Sequence, residues 1–271
     1  MFGPGSEAWR IGRERVLILA GPAALLMQIA HPLVAAGVDQ HSDFRVRPVH
    51  RLRTTLDATL TMTFGDRDQA AKAAARIRSR HRRVTGCTSD PAGAFPAGTE
   101  YRADDPQLAL WVLATLVWTA LEFYDGFVAP LPPERRARYQ AEMSRIGGLL
   151  GVPQELLLGS HEEFTEYMAS MDDAVLEVGP QVRRLAVDIF SASVRGVPRP
   201  LLQGADAVAG VLTAGLLPPR LRACYGLSWG WPERQAFRAA RLAMRTALPA
   251  LPPHVRYWPH YVSAYPRVGG S

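Results

Sequence analysis

The hydrophobic pattern of this chain is helical almost throughout. Apolar side chains recur at three- and four-residue steps, and no run alternates convincingly in the two-residue rhythm of a half-buried strand. The pattern predicts helices over 7–20, 22–38, 48–64, 67–85, 106–128, 133–150, 160–177, 181–193, 203–215, 218–225 and 232–247. Local punctuation agrees with several of them. Asp66 can cap the helix over 67–85, and Asp104–Asp105 before Pro106 can open the next. Pro132–Pro133 opens the helix over 133–150, whose end is marked by Gly147, Gly148 and Gly151. The stretch 86–103 (GCTSDPAGAFPAGTEYRA) reads as the clearest long loop, of a kind that is often functional inside a compact domain. No internal repeat or low-complexity linker divides the chain. The expected fold is all-α, a single multi-helix domain over 1–271.

Two segments are apolar beyond what an amphipathic helix needs. Leu108–Leu121 (LALWVLATLVWTAL) carries no charge and is apolar on every face, the mark of a helix buried at the centre of a helical protein. Glu122 and Asp125, one turn later, mark where it meets solvent or polar partners. The 23-residue run Val16–Val38 follows Arg10, Arg13 and Arg15 and so mimics a signal anchor or membrane span. Glu14 sits among those arginines, however, and Pro22, Gln28, His31 and Pro32 interrupt the run. A histidine followed by proline is costly in mid-bilayer. A buried core helix and no membrane span are expected.

Composition narrows the function classes only modestly. The 271 residues are 48% hydrophobic and 21% charged, so disorder is not the default. The net charge of +6 comes from 31 basic residues, of which only Lys72 is lysine. Arginine suits planar, bidentate contacts with carboxylates and phosphates. Cys87 and Cys224 stand far apart, without zinc-type spacing and without the makings of a disulfide framework. A reducing cytoplasm is the expected location. No GxSxG elbow, HExxH, Walker loop or GxGxxG after a strand is present.

Three clusters remain as candidate chemistry. The first is RIRSRHRRVTG (Arg76–Gly86), in which five arginines surround His81. On a helix, Ala70, Ala74, Ile77 and Val84 fall on one stripe, and His81 fills its remaining gap; the arginines lie mostly off it. An imidazole on an apolar stripe is either a core histidine bonded to a carbonyl or a metal or haem ligand. Reading the arginines instead as a nucleic-acid patch lacks support from interleaved aromatics or a DNA-binding motif, and no nucleic acid is expected. The second cluster is HRLRTT (His50–Thr55), where Arg51 and Thr55 share a helical face with Thr59 and Met62. That pair can steer an anion, a haem propionate or oxygen, or form a solvated helix start. The third is QIAHPLVAAGVDQHSDF (Gln28–Phe44). His31, His41 and Asp43 are candidates there, with His41 beside Asp39 or Asp43 as a metal pair and Asp43 alternatively a helix cap.

Taken in order, AHPLVAAGVDQHSDF, RLRTTL, FGD and HRRV resemble the latex-clearing protein family, which includes rubber oxygenase catalytic domains and the oxygenase of mycophenolic acid biosynthesis. The chain is most similar to the short bacterial members, which also carry WVLATLV, LLGVP, LLPPRLRACYGLSW and LPPHVRYWP. The resemblance runs from about Ala20 to Pro259. It implies an all-α fold with a globin-like core over about 20–190 that holds haem b, with C-terminal helices over 200–260 packing on it. By resemblance His81 is the proximal iron ligand, with Thr85 where the family has arginine. Arg51 and Thr55 match residues near the haem, but Thr54 stands at the position of a lysine that can cap the iron in the rubber enzyme. Leu113 stands where the short members read histidine. The implied function is haem-dependent oxidation, by an oxygenase or oxidase, of a small organic substrate with O2. The candidate catalytic residues are Arg51, Thr55, His31, His41 and Asp43. Dehydrogenation or rearrangement without oxygen insertion, and non-catalytic haem or ligand carriage, are the alternatives. A polyisoprene substrate is not implied.

Overall fold

A computed structural model of the protein describes residues 2–41, 48–193 and 199–268; in the helices beside the undescribed stretches the side chains of residues 48, 49, 51, 52, 190–193, 199–205 and 268 are not described. Asp43 therefore lies outside the described residues, as does the side chain of Arg51. The architecture is all-α, with a single small antiparallel hairpin among the described residues.

The N-terminal run begins with α1 (Glu7–Gly12), capped by the Ser6 hydroxyl, which accepts from the Trp9 amide. The expected helix over 7–20 breaks after α1, because Glu14 is extended; a 3-10 helix, Arg15–Ala20, follows. The expected helix over 22–38 is also two: α2 (Gly21–Ala30) and α3 (Pro32–His41). The run Arg15–Ala30 meets α3 at a bend of 106°. Proline explains the break. Pro32 has no N–H to give α2, and it drives His31 into extended backbone (φ −77°, ψ 119°). The apolar run that mimics a membrane span is therefore folded back on itself.

Next come α4 (Pro48–Phe64) and α5 (Arg67–His81), joined through Gly65 and Asp66. Asp66 caps α5 as the sequence predicts, in a full capping box with Gln69. α5 stops at His81 instead of continuing to residue 85. The chain then forms a strand, β1 (Thr85–Cys87), paired with β2 (Glu100–Arg102) across the long loop. The stretch read as a loop over 86–103 is thus closed at both ends by a short hairpin.

The centre of the molecule is α6 (Pro106–Phe123), opened by Asp105 and Pro106 as predicted. Its residues Leu108, Leu110, Trp111, Leu113, Ala114, Val117, Leu121 and Phe123 are buried on all sides, and Trp111 is 0% exposed. Burial of each large aliphatic side chain there is worth about 1.5–3 kcal/mol. The helix loosens into a π-turn at Tyr124–Val128. Glu122 and Asp125 both meet Arg136, at 2.8 and 3.2 Å. By length and composition Pro106–Val128 can cross a membrane, yet most of it is buried inside the protein.

α2 packs along α6, and Gln28 Nε2 donates across the contact to Thr115 Oγ1 at 3.1 Å. α7 (Pro133–Leu150) covers α1, α5 and the other side of α6, and ends on Gly151, whose φ of +95° suits a residue without Cβ. α6 and α7 approach closely at Gly147, where an added Cβ would lie 2.8 Å from Leu157 and 3.1 Å from Leu113. α8 (His161–Ala174) packs on α7, and α9 (Pro180–Ser193) against α2, α3 and α4. α10 (Arg199–Leu216) lies against α2, α6 and the 3-10 helix, with α11 (Pro219–Cys224) after it and α12 (Trp231–Ala247) on its flank.

Two short helices complete the chain where the sequence pattern gives no element, α13 (Pro253–Arg256) and α14 (Pro259–Val268). They return to the N-terminus. Arg256 binds Glu14, Tyr257 bridges the same residue, and α14 packs on α4.

Candidate functional site

The α4–α5 hairpin organises the candidate site. Its closed end is tightly packed: Leu60, Met62, Thr63 and Phe64 on α4 and Ala70, Ala73 and Ala74 on α5 are buried. Its open end is not. At 1.5 Å per residue, His81 lies about 21 Å along α5 from Arg67, and Arg51 about 20 Å back along α4 from Phe64. With two residues in the turn the helices run antiparallel, so Arg51 and His81 reach the same end and Thr55 sits one turn deeper. Along α5 the predicted stripe holds, with rising exposure: Ala70 and Ala74 are buried, and Ile77, His81 and Val84 are half-buried. Arg76, Arg80, Arg82 and Arg83 are exposed. Arg78 differs from them, because its guanidinium donates to the Leu149 carbonyl at the end of α7, where a helix favours positive charge.

The other end of the stripe is tied to α3. Val84 N–H donates to the His81 carbonyl at 2.9 Å, and Ala103 N–H to the Val84 carbonyl at 2.9 Å. His41 Nε2 lies 3.0 Å from the Thr85 carbonyl; since a carbonyl only accepts, Nε2 carries the proton. Gln40 Nε2 donates to the Cys87 carbonyl at 2.9 Å, and Tyr101 Oη donates to Gln40 Oε1 at 2.8 Å. Sequence reasoning singles out His41 in this group but misses Gln40 and Tyr101, whose roles depend on the β1–β2 pairing.

His31 is elsewhere, at the bend between α2 and α3, buried and 5.7 Å from the Phe95 ring centroid. The Leu33 amide donates to its Nδ1 at 3.2 Å, so His31 caps α3 with a ring nitrogen. Burial pushes its pKa down to about 4, and a neutral ring is what an accepting Nδ1 requires. His41 and His31 are thus both committed to the backbone. Asp39, the other partner named for His41, accepts from Gln181 Nε2 at 3.3 Å. Among the described residues no group of three or more His, Cys, Asp or Glu side chains is arranged to hold a metal ion.

Thr55 is exposed, and its carbonyl accepts from the Thr59 hydroxyl at 3.0 Å. Thr54 turns its hydroxyl back to the His50 carbonyl at 2.9 Å. Leu113 is buried against α7 at Gly147. Its neighbours there are apolar, so the leucine is accounted for by packing.

A cavity of about 500 Å³ opens beside the α3–β1 junction, lined by Asp39, Ser89, Asp90, Gln181, Arg184 and Asp188 among others. Its size suits a small organic molecule. The donor set at the open end also fits haem better than a bare ion. A bare ion needs several protein ligands, whereas haem brings four nitrogens and asks the protein for one imidazole. Among the described side chains at that end, half-buried His81 offers the imidazole, and exposed Thr55 lies at the same end of the hairpin.

Over residues 9–248 the chain matches the family model described as "ER-bound oxygenase mpaB/B'/Rubber oxygenase, catalytic domain". It belongs to that family. The oxygenase family match begins within α1, runs through α12 and ends before α13 and α14. An uncharacterized protein of Mycobacterium tuberculosis is 29% identical over 243 residues, covering 88% of this chain and 90% of the relative. An uncharacterized protein of Mycobacterium bovis matches to the same extent. No solved structure matches the chain significantly.

Proposed function

We propose that this chain is a haem-b-dependent oxidoreductase that oxidises a small organic substrate with O2, and that His81 is the protein ligand to the iron. Membership of the oxygenase family supports the reaction class. The observation that carries the haem reading is the open end of the α4–α5 hairpin, where half-buried His81 and exposed Thr55 lie beyond the packed core, at the end of α4 from which the backbone of residue 51 also comes.

In this reading His81 holds the cofactor, and Arg51 supplies a guanidinium suited to a propionate. Haem, when bound, supplies the redox chemistry and the site for O2. The protein's own contribution is access and orientation. The buried wall of α6 keeps water from the interior. The reading takes the chain as one domain in the cytoplasm, with a globin-like core over about 20–190; the free thiols of Cys87 and Cys224 are compatible with a reducing compartment.

Haemin titration of the purified protein tests it. One equivalent taken up with a Soret band is expected in the wild type. His81→Gly is expected to lose that band while its circular dichroism stays helical, and free imidazole should restore it. A wild-type protein that takes up no haemin overturns the proposal, and salt-dependent binding of random DNA would point to the arginines instead.

A further inference from the structure

We infer that Gln40, His41 and Tyr101 are positioning residues for His81: they clamp the backbone leaving α5 and so fix where the imidazole points. The inference rests on the reading of His81 as iron ligand.

Between His81 and β1 the backbone is one continuous hydrogen-bonded piece, through the Val84 amide to the His81 carbonyl and the Ala103 amide to the Val84 carbonyl. Carbonyls alternate sides along a strand. Since that of Val84 faces the β2 side, those of Thr85 and Cys87 point together to the opposite edge. That edge is where the end of α3 sits. His41 donates to the first carbonyl at 3.0 Å and Gln40 to the second at 2.9 Å. Buried Tyr101, the cross-strand partner of Gly86, reaches over it to bond Gln40 Oε1 at 2.8 Å.

The contact leaves no slack. A Cβ at Gly86 would lie 2.6 Å from Tyr101 Oη and 2.7 Å from Gln40 Oε1, so only glycine lets the three meet. On its other flank the last turn of α5 is held by Arg78, three residues before His81, on the Leu149 carbonyl. His81 thus sits on a turn anchored from both sides, to α7 and to α3. Bonds to exposed edge carbonyls replace bonds to water and add little to stability. What they determine is the register of the turn, and with it the direction of the side chain it carries.

The test loads wild type, Tyr101→Phe, Gln40→Leu and Gly86→Ala with haemin and measures haemin release and the ferric electron paramagnetic resonance spectrum. The variants are expected to release haemin about tenfold faster or more, the usual effect of losing a group that orients a metal ligand, and to give heterogeneous ferric signals with unchanged circular dichroism. Gln28→Leu, which removes the bond to Thr115 in the α2–α6 contact, serves as a purely structural control and should lower Tm without altering the spectrum. In His81→Gly loaded with haemin and free imidazole, the ligand is detached from the chain, and the clamp variants should lose their effect. Equal acceleration in that background, or uptake and release identical to wild type, overturns the inference alone. No haemin uptake by the wild type overturns the ligand reading and the inference with it. Should Gly86→Ala fail to fold, Tyr101→Phe and Gln40→Leu carry the same test.

Discussion

The Glu14 carboxylate, 0% exposed, is held by the Arg256 guanidinium through two hydrogen bonds of 2.8 Å across 242 residues of sequence. Glu14 is the residue at which the first helical run breaks, and Arg256 ends α13. Arg13 adds a cation–π contact at 4.5 Å over the Tyr257 ring. The pair ties the two ends of the chain together, and α14, so anchored, packs on α4.

Removing Arg256 strands the buried Glu14 carboxylate with only the longer Arg13 contact, Nε at 3.7 Å; a buried charge that loses its partner costs about 3–5 kcal/mol, and the lower end applies where a second cation remains. Arg256→Ala should lose that much in urea denaturation, whereas exposed Arg238→Ala should change stability by no more than about 0.5 kcal/mol. The double replacement Glu14→Leu with Arg256→Leu should recover much of the loss, since neither charge is then stranded. A loss below about 1 kcal/mol in Arg256→Ala would mean that Arg13 or solvent compensates Glu14 without Arg256.

His31 gives the fold a dependence on pH. Its folded-state pKa of about 4 lies below the ordinary 6.5 because burial disfavours the imidazolium. Between those values the unfolded chain binds a proton that the folded one refuses, so stability rises with pH. The contribution is complete above about pH 6.5 and is lost as pH falls toward 4; at about 1.4 kcal/mol per tenfold change in proton activity it amounts to roughly 3 kcal/mol. His31→Asn can still cap α3 but does not titrate, so its stability should be flat from pH 6.5 to 5 where the wild type declines. Parallel profiles would show that His31 is not the group responsible.

The parts of this fold that were legible in the sequence are those decided locally. Asp66, Asp105, Pro133 and Gly151 each act on their own helix end, and each acts as its residue type predicts. The uncharged face-all-round pattern of Leu108–Leu121 likewise marks the central helix. What was not legible depends on partners distant in sequence. The break at His31 lies inside a run that reads as one helix over 22–38, where Pro32 marks it but does not reveal the bend. β1 and β2 are three residues each with only Tyr101 buried, too short for an alternation to register before they pair. α14 contains Pro266, which argues against a helix until packing against α4 is known. The same division holds at the candidate site. The stripe that selects His81 is local to α5, whereas Gln40 and Tyr101 come near it only because α3 turns back by 106°.

The two ends of the α4–α5 hairpin should be separable. Asp66 accepts from the Gln69 amide at 2.8 Å at the closed end, about 21 Å along α5 from His81. Asp66→Ala removes the cap and should cost about 1 kcal/mol, read as a lower urea midpoint. Haemin uptake and its Soret band should stay as in the wild type. A cap variant that loses haem as readily as His81→Gly would mean that the hairpin frays as a unit, and the haem readout would then report stability instead of ligation.

Leu113 offers the opposite kind of test, at a buried residue of the apolar core. It packs on Gly147 of α7, with Leu157 on the same glycine. Leu113→His would bring an imidazole into this contact, beside Gly147, Leu157 and Val152. An unsatisfied buried polar group costs about 1–3 kcal/mol, and the lost leucine packing adds to it. The expected result is a lower Tm, more marked at pH 5.5 than at pH 8, because protonation would add a buried charge. Since α7 also receives Arg78 from the turn that carries His81, a shifted α7 should disturb that turn as well. Faster haemin release in Leu113→His, beyond that of Gln28→Leu matched for Tm, would report the link from α6 through α7 to α5; a release rate that follows Tm alone would break it.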